Sequence, residues 1–183
     1  MEYVIFEKRF APPICAAEYP GIFAANRWCF ELHRAEHLRA HVAVDGHKTV
    51  CVFRAPDAES VRTSARTGGL DFEFTWPANR MTPPPEVNAP RPPDRAPLHV
   101  VERSFAAPVS FESIQEIEDR GAWCLEAHRV RFAYTYFSFD RRRMLCMYEA
   151  PDAESVRRAQ AQAGLPFDRV WPATLYLEPG EPA

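Results

Sequence analysis

The sequence predicts an α+β fold of two ferredoxin-like βαββαβ repeats, packed sheet to sheet as a single-chain pseudo-dimeric α/β barrel. Three observations carry this. A shift of 95 residues lays Trp28-Cys-Phe-Glu-Leu-His-Arg34 on Trp123-Cys-Leu-Glu-Ala-His-Arg129, and places the octet Ala55–Arg62 identically on Ala150–Arg157. Between Trp28 and Ala78 this shift gives 21 identities in 51 positions, without a gap. A proline-rich stretch, with prolines 83, 84, 85, 90, 92, 93 and 97, lies between the copies. Finally, each copy shows the pattern strand, helix, two strands, helix, strand, and the bare sheet face this leaves must be buried.

The elements follow in order. Tyr3–Phe10 and Leu98–Phe105 read as first strands. Residues Ala16–Arg34 read as a helix, with the matching pattern clearest in the second copy, where Ile114, Ile117, Gly121, Cys124 and His128 recur at steps of three and four. His37–Val44 and Lys48–Arg54 flank Asp45-Gly46, a hairpin-type turn. Asp57 and Asp152 are N-caps of a second helix, with a glutamate two residues on for the positive end of its dipole. That helix ends at Gly68-Gly69 or at Gly164, and a short strand, Phe72–Trp76 in the first copy, closes the unit. The domains expected are 1–79, a linker over 80–97 running as polyproline II, 98–178, and a tail over 179–183.

A formal charge of −3 gives no electrostatic footprint for nucleic acid or an anionic membrane. Arg141-Arg142-Arg143 falls at a hairpin turn and reads as solvated. No apolar run approaches the ~20 residues of a spanning helix, and the first residues lack signal-peptide architecture. Five cysteines, an odd number, argue against a disulfide framework and for a reducing compartment, so a soluble cytoplasmic protein is expected. Glycine-rich phosphate loops, Gly-x-Ser-x-Gly and dinucleotide fingerprints are absent from the sequence.

Four constellations are candidates for chemistry. Cys29 with His33, and Cys124 with His128, are i,i+4 neighbours on the first helix of each copy, suited to a shared metal or a nucleophile–base pair. The alternative is a buried small hydrophobe beside a histidine that caps carbonyls. Trp28 and Trp123, with Glu31 and Glu126, lie on a neighbouring face as ligand or domain contacts. Glu7 and Glu102 sit in the middle of a strand, each either a general base or one half of a structural pair with an arginine such as Arg34 or Arg39.

The fourth constellation is where the copies differ. His37, Arg39 and His41 alternate on one face of the first copy's second strand, where the other copy has Phe132, Tyr134 and Tyr136. Polar groups on one wall and aromatics on the other would make an asymmetric pocket; a solvated strand face is the alternative. His33, His37 and His41 with Cys51 are the histidine-rich patch of the first copy, and His37, His41, Cys29 and Cys124 are the candidate metal ligands.

The runs HVAVDGHKTVCVFRAPDAESVR and YFSFDRRRMLCMYEAPDAESVRRAQAQAGLPFDRVW, with VERSF opening the second copy, resemble a bacterial ferredoxin-like domain of unknown function whose characterised member binds nickel. The resemblance spans both copies and is closer in the second. It implies the fold, and it implies transition-metal binding, nickel in particular, without assigning ligands. The expectation is therefore a binding protein holding a transition metal or a small organic molecule between the repeats. It would act as a monomeric pseudo-dimer, with further oligomerisation open. A cofactor-independent isomerase or monooxygenase using Glu7 or Glu102 with His33 or His128 is the alternative, and an interaction scaffold built on Trp28 or Trp123 is a third.

Overall fold

A computed structural model describes residues 1–82 and 97–181. It is α+β, with eight strands and five helices among the described residues. The chain forms two compact units, Met1–Asn79 with Ala173–Ala183, and Arg80–Pro172.

In the first unit, β1 (Glu2–Arg9), β2 (Glu36–Ala43), β3 (Lys48–Ala55) and residues Phe74–Asn79 of β4 (Phe74–Met81) form an antiparallel sheet in the order β4-β1-β3-β2. Residues Ala173–Leu177 of β8 (Arg169–Leu177) add to the free side of β2. These residues pack with the first unit, although the sequence pattern groups them with the second copy. Helices α1 (Tyr19–Leu32) and α2 (Ala58–Thr67) cover one face. Alternation along the strands supplies that face with Val4, Phe6, Ala40, Val42, Cys51 and Phe53, which pack on Phe23, Phe30 and Val61. Phe30 stacks on Phe53 at 4.6 Å, the closest aromatic pair on Phe30.

Local chemistry explains the element ends. A 3₁₀ turn over Ala16–Glu18 leads into α1, whose first turn takes Pro20 because an N–H there has no helical partner. Asp57 accepts the Ser60 N–H at 2.7 Å to start α2. The β2–β3 turn needs Gly46 at φ +74°, because a Cβ there would lie 2.0 Å from the Ile14 carbonyl oxygen. β4 runs to Met81, past the Trp76 expected, so Arg80 and Met81 are strand and not linker. The polyproline II expectation for the rest of the linker falls chiefly on residues 83–96, outside the described residues.

In the second unit, β5 (Leu98–Ser104), β7 (Arg143–Glu149) and β6 (Arg131–Ser138) pair antiparallel in that order. One long first helix is expected here, but the structure has two: α3 (Phe111–Arg120) and α4 (Ala122–Ala127). The break falls at Gly121, where a Cβ would come within 2.5 Å of the Ala163 Cβ on α5 (Ala153–Ala163), so contact with the neighbouring helix calls for glycine at this point. Asp152 caps α5 and Gly164 closes it at φ +73°. The core of this unit holds a buried guanidinium, Arg103, which donates to Gln160 Oε1 at 2.6 Å and to the Pro166 carbonyl.

Candidate functional site

A chain of hydrogen bonds runs through the helix-covered side of the first unit. Tyr19 opens α1, and its hydroxyl lies 3.1 Å from His37 Nε2 and 3.2 Å from Cys51 Sγ. His37 Nδ1 lies 2.9 Å from Glu178 Oε1. Arg27, two turns along α1, donates from Nη2 to both Glu178 oxygens at 2.9 and 3.0 Å. One proton assignment satisfies every contact: Cys51 S–H donates to Tyr19 O, Tyr19 O–H to His37 Nε2, and His37 Nδ1–H to the Glu178 carboxylate.

Burial sets the protonation states along this chain. It pushes the Tyr19 phenol well above its ordinary value and the Cys51 thiol up to about 11. It also lowers His37, against the opposing pull of the Glu178 carboxylate, which favours imidazolium. Glu178 is lowered despite desolvation, through its bonds to His37 and Arg27. The resting arrangement is a neutral thiol, phenol and imidazole ending on a carboxylate–guanidinium pair.

That charged end borders a cavity of about 430 Å³ lined by Phe23, Phe30, Arg27, Arg34, His37 and Glu178. Phe23 lies 4.0 Å from the His37 ring, centre to centre, and the Arg27 guanidinium sits 5.0 Å over the same Phe23 ring. An aromatic wall with a few convergent polar groups is the usual make-up of a small-molecule site.

The expected residues are placed differently. His37, Arg39 and His41 do not share a face. The β2 register shifts between His37 and Arg39, which turns His37 onto the helix side while Arg39 and His41 stay on the other. The same shift in β6 puts Phe132 in the helix-side core and leaves Tyr134 and Tyr136 opposite. In the first unit Arg39, fully buried, donates to Glu181 at 3.3 Å, and His41 Nδ1 donates to the Val50 carbonyl at 3.3 Å. Tyr136 is fully buried, and Tyr134 lies under the Arg80 guanidinium at 4.8 Å.

The cysteine–histidine pairs take separate partners. Cys29 is buried and donates to the Asn26 carbonyl at 2.7 Å, while His33 bonds Thr67 at 3.3 Å. Cys124 is buried, and His128 bonds Gln162 at 2.9 Å. Within the first unit the candidate ligands do not converge, because His37 and His41 lie on opposite faces of β2; Cys124 belongs to the second unit. No three His, Cys, Asp or Glu side chains form a metal-holding group among the described residues.

Glu7 is paired, but with Lys48 at 2.9 Å and the Trp76 indole N–H at 2.8 Å, not with Arg34 or Arg39. Glu102 accepts from the Trp171 indole at 2.6 Å. Trp28 and Trp123 are more than half exposed.

Sequence reasoning missed Tyr19, Arg27 and Glu178. One signal was present: Tyr19 and His37 both become apolar 95 residues on, as Ile114 and Phe132, while Cys51 stays cysteine. Glu178 has no counterpart at that spacing, and only the pairing of β8 with β2 brings it to His37.

Residues 99–172 match the family model described as nickel responsive protein SCO4226-like. No match was found among curated proteins. SCO4226 from Streptomyces coelicolor A3(2) aligns at 16% identity over 40% of this chain and 90% of that one, with a TM-score of 0.37. An anthrone oxidase-like protein aligns at 10% identity over 99% and 94%, TM-score 0.47. A candidate chlorite dismutase, TA0507, aligns at 15% identity over 95% of this chain and 93% of that one, with a TM-score of 0.51. What this last likeness shows is the fold alone: the chain shares an α+β architecture with TA0507 over nearly its whole length.

Proposed function

We propose that this chain binds a small organic molecule, and that the cavity of the first unit beside Glu178, Arg27 and His37 is where it does so. The observation that carries the reading is the hydrogen-bonded chain from Cys51 through Tyr19 and His37, whose only charged end opens on that cavity. A buried polar chain of this kind is costly to assemble for packing alone, and in the second unit Ile114 and Phe132 fill the matching positions with apolar side chains. The 95-residue identities and the shared order of elements support a duplicated domain, with one copy keeping the site. The five free cysteines fit a reducing, cytoplasmic setting.

The test is a small-molecule screen followed by NMR at the His37 imidazole and the Phe23 ring. Binders are expected to move both, and to lose affinity in His37→Phe, the residue found at the matching place in the second unit. Binders that leave His37 and Phe23 unmoved would refute the assignment.

A second reading has its own support. The match of residues 99–172 to a nickel responsive family favours a response to nickel through the second unit. Tag-free protein should then retain nickel through gel filtration. Elemental analysis blank for nickel, copper and zinc would end that reading. Acid–base catalysis by Glu7 or Glu102 has less support, because both carboxylates are held by indole N–H groups and Glu7 also by Lys48.

A further inference from the structure

We infer that the ligand of the first-unit cavity is a small carboxylate, and that the Glu178 side chain holds its place as a built-in stand-in. This rests on the cavity being the binding site. The geometry at the polar end is that of a carboxylate receptor. Arg27 Nη2 and His37 Nδ1 both address Glu178 Oε1 at 2.9 Å, and Arg27 Nη2 also reaches Oε2 at 3.0 Å. Guanidinium and imidazole donors converging on one carboxylate form the strong, charge-assisted class of hydrogen bond.

The receptor groups belong to the body of the unit. Arg27 is on α1 with its guanidinium laid over Phe23, and His37 is wedged between Phe23 and Tyr19. The carboxylate they hold comes from a different place, the residue following β8, which is anchored by its own N–H to the Leu38 carbonyl at 3.0 Å. Its side chain is partly exposed, whereas that of His37 is buried. A partly exposed carboxylate, carried on the segment after β8 and held at the cavity edge by the buried His37 and by Arg27, itself 43% exposed, is the member of the set that exchange can replace.

A second contact follows the same plan. Three residues on, Glu181 receives Arg39 at 3.3 Å and faces Arg54 at 3.8 Å. The segment after β8 thus lays two carboxylates on three guanidiniums and one imidazole of the first unit. The cavity rim adds Arg34, together with Glu31 and Glu36, of which Glu36 faces Arg54 at 3.6 Å. An incoming carboxylate would take the Arg27 and His37 donors while Glu178 swings toward solvent. The aromatic wall of Phe23 and Phe30 would meet its carbon skeleton.

The test titrates the full chain with succinate, with ethane-1,2-diamine as the cationic counterpart and with inorganic phosphate, read by calorimetry and at the His37 imidazole by NMR. Wild type is compared with Glu178→Gln. Succinate is expected to move the His37 resonances and to bind the variant about tenfold more tightly, since a neutral amide competes poorly for Arg27. Adding Arg27→Met to that variant should abolish the gain. The inference is overturned if the variant binds succinate no more tightly than wild type, or if the diamine or phosphate binds better than succinate. If Glu178→Gln fails to fold, the wild type decides, and no His37 shift with succinate sinks the inference. Neutral compounds moving His37 and Phe23 where succinate does not would leave the cavity reading standing and remove only the carboxylate. No response to any compound would remove both.

Discussion

Two nitrogens of one side chain organise the first unit's site. His37 accepts from Tyr19 at Nε2 and donates to Glu178 at Nδ1, so a neutral imidazole fits both neighbours and an imidazolium fits only one. Its ordinary value near 6.5 is lowered by burial. The sign of the pH effect follows. The unfolded chain protonates first as pH falls, so the stability that neutral His37 contributes is present above about pH 6.5 and is lost as the pH falls below it. An NMR titration should find His37 mainly neutral at pH 6.5, and Glu178→Gln should lower its pKa further, because the carboxylate is what favours the charged form. A rise in that variant would contradict the assignment. The buried pair Lys48–Glu7 makes a second prediction at this scale. Lys48→Met removes the cation paired with a buried carboxylate and should cost about 3–5 kcal/mol in urea unfolding. Glu7→Gln in the same background should recover part of that loss, because the amide removes the stranded charge while still accepting from Trp76.

Elements are set by a few local contacts, and these account for what sequence patterns found and missed. The caps at Asp57 and Asp152 were legible because a side-chain oxygen bonding an N–H three residues on is entirely local. The carboxyls of both are lowered by those bonds, so what they contribute to stability is lost as pH falls through their folded values. The contact that calls for glycine at the break of α3 from α4 was not legible, since Ala163, packed against Gly121, lies on another helix. Gly46 is both: the Asp-Gly pair announces a turn, and the 2.0 Å approach to Ile14 makes glycine obligatory. Gly46→Ala should therefore destabilise by more than about 1 kcal/mol, through positive φ and the clash together. An unchanged midpoint in thermal unfolding would show that the Ile14 segment yields. The register shifts in β2 and β6 mattered most for function. Period-2 alternation places His37 with Arg39 and His41, and a single bulge reverses that for His37 alone.

At the scale of the molecule, the chain's last strand matters to the first unit. Ala173–Leu177 pair with β2, and Glu178 and Glu181 follow at once. Removing residues after Pro172 should strip β2 of a neighbour and leave Arg39, 1% exposed, without Glu181. Hydrogen exchange should then rise across Glu36–Ala43 while β5–β7 keep their protection. Equal loss in both units would show that they do not respond separately. No helix among the described residues is long and apolar enough to cross a membrane. By itself the sequence determined the α+β class, the order of elements in each half, the helix caps and the turns, because periodicity and capping are properties of neighbours along the chain. Only the tertiary structure decided which face His37 takes and which carboxylate it meets. A bulge changes facing without changing composition, and the contact between His37 and Glu178 spans 141 positions that no local pattern connects.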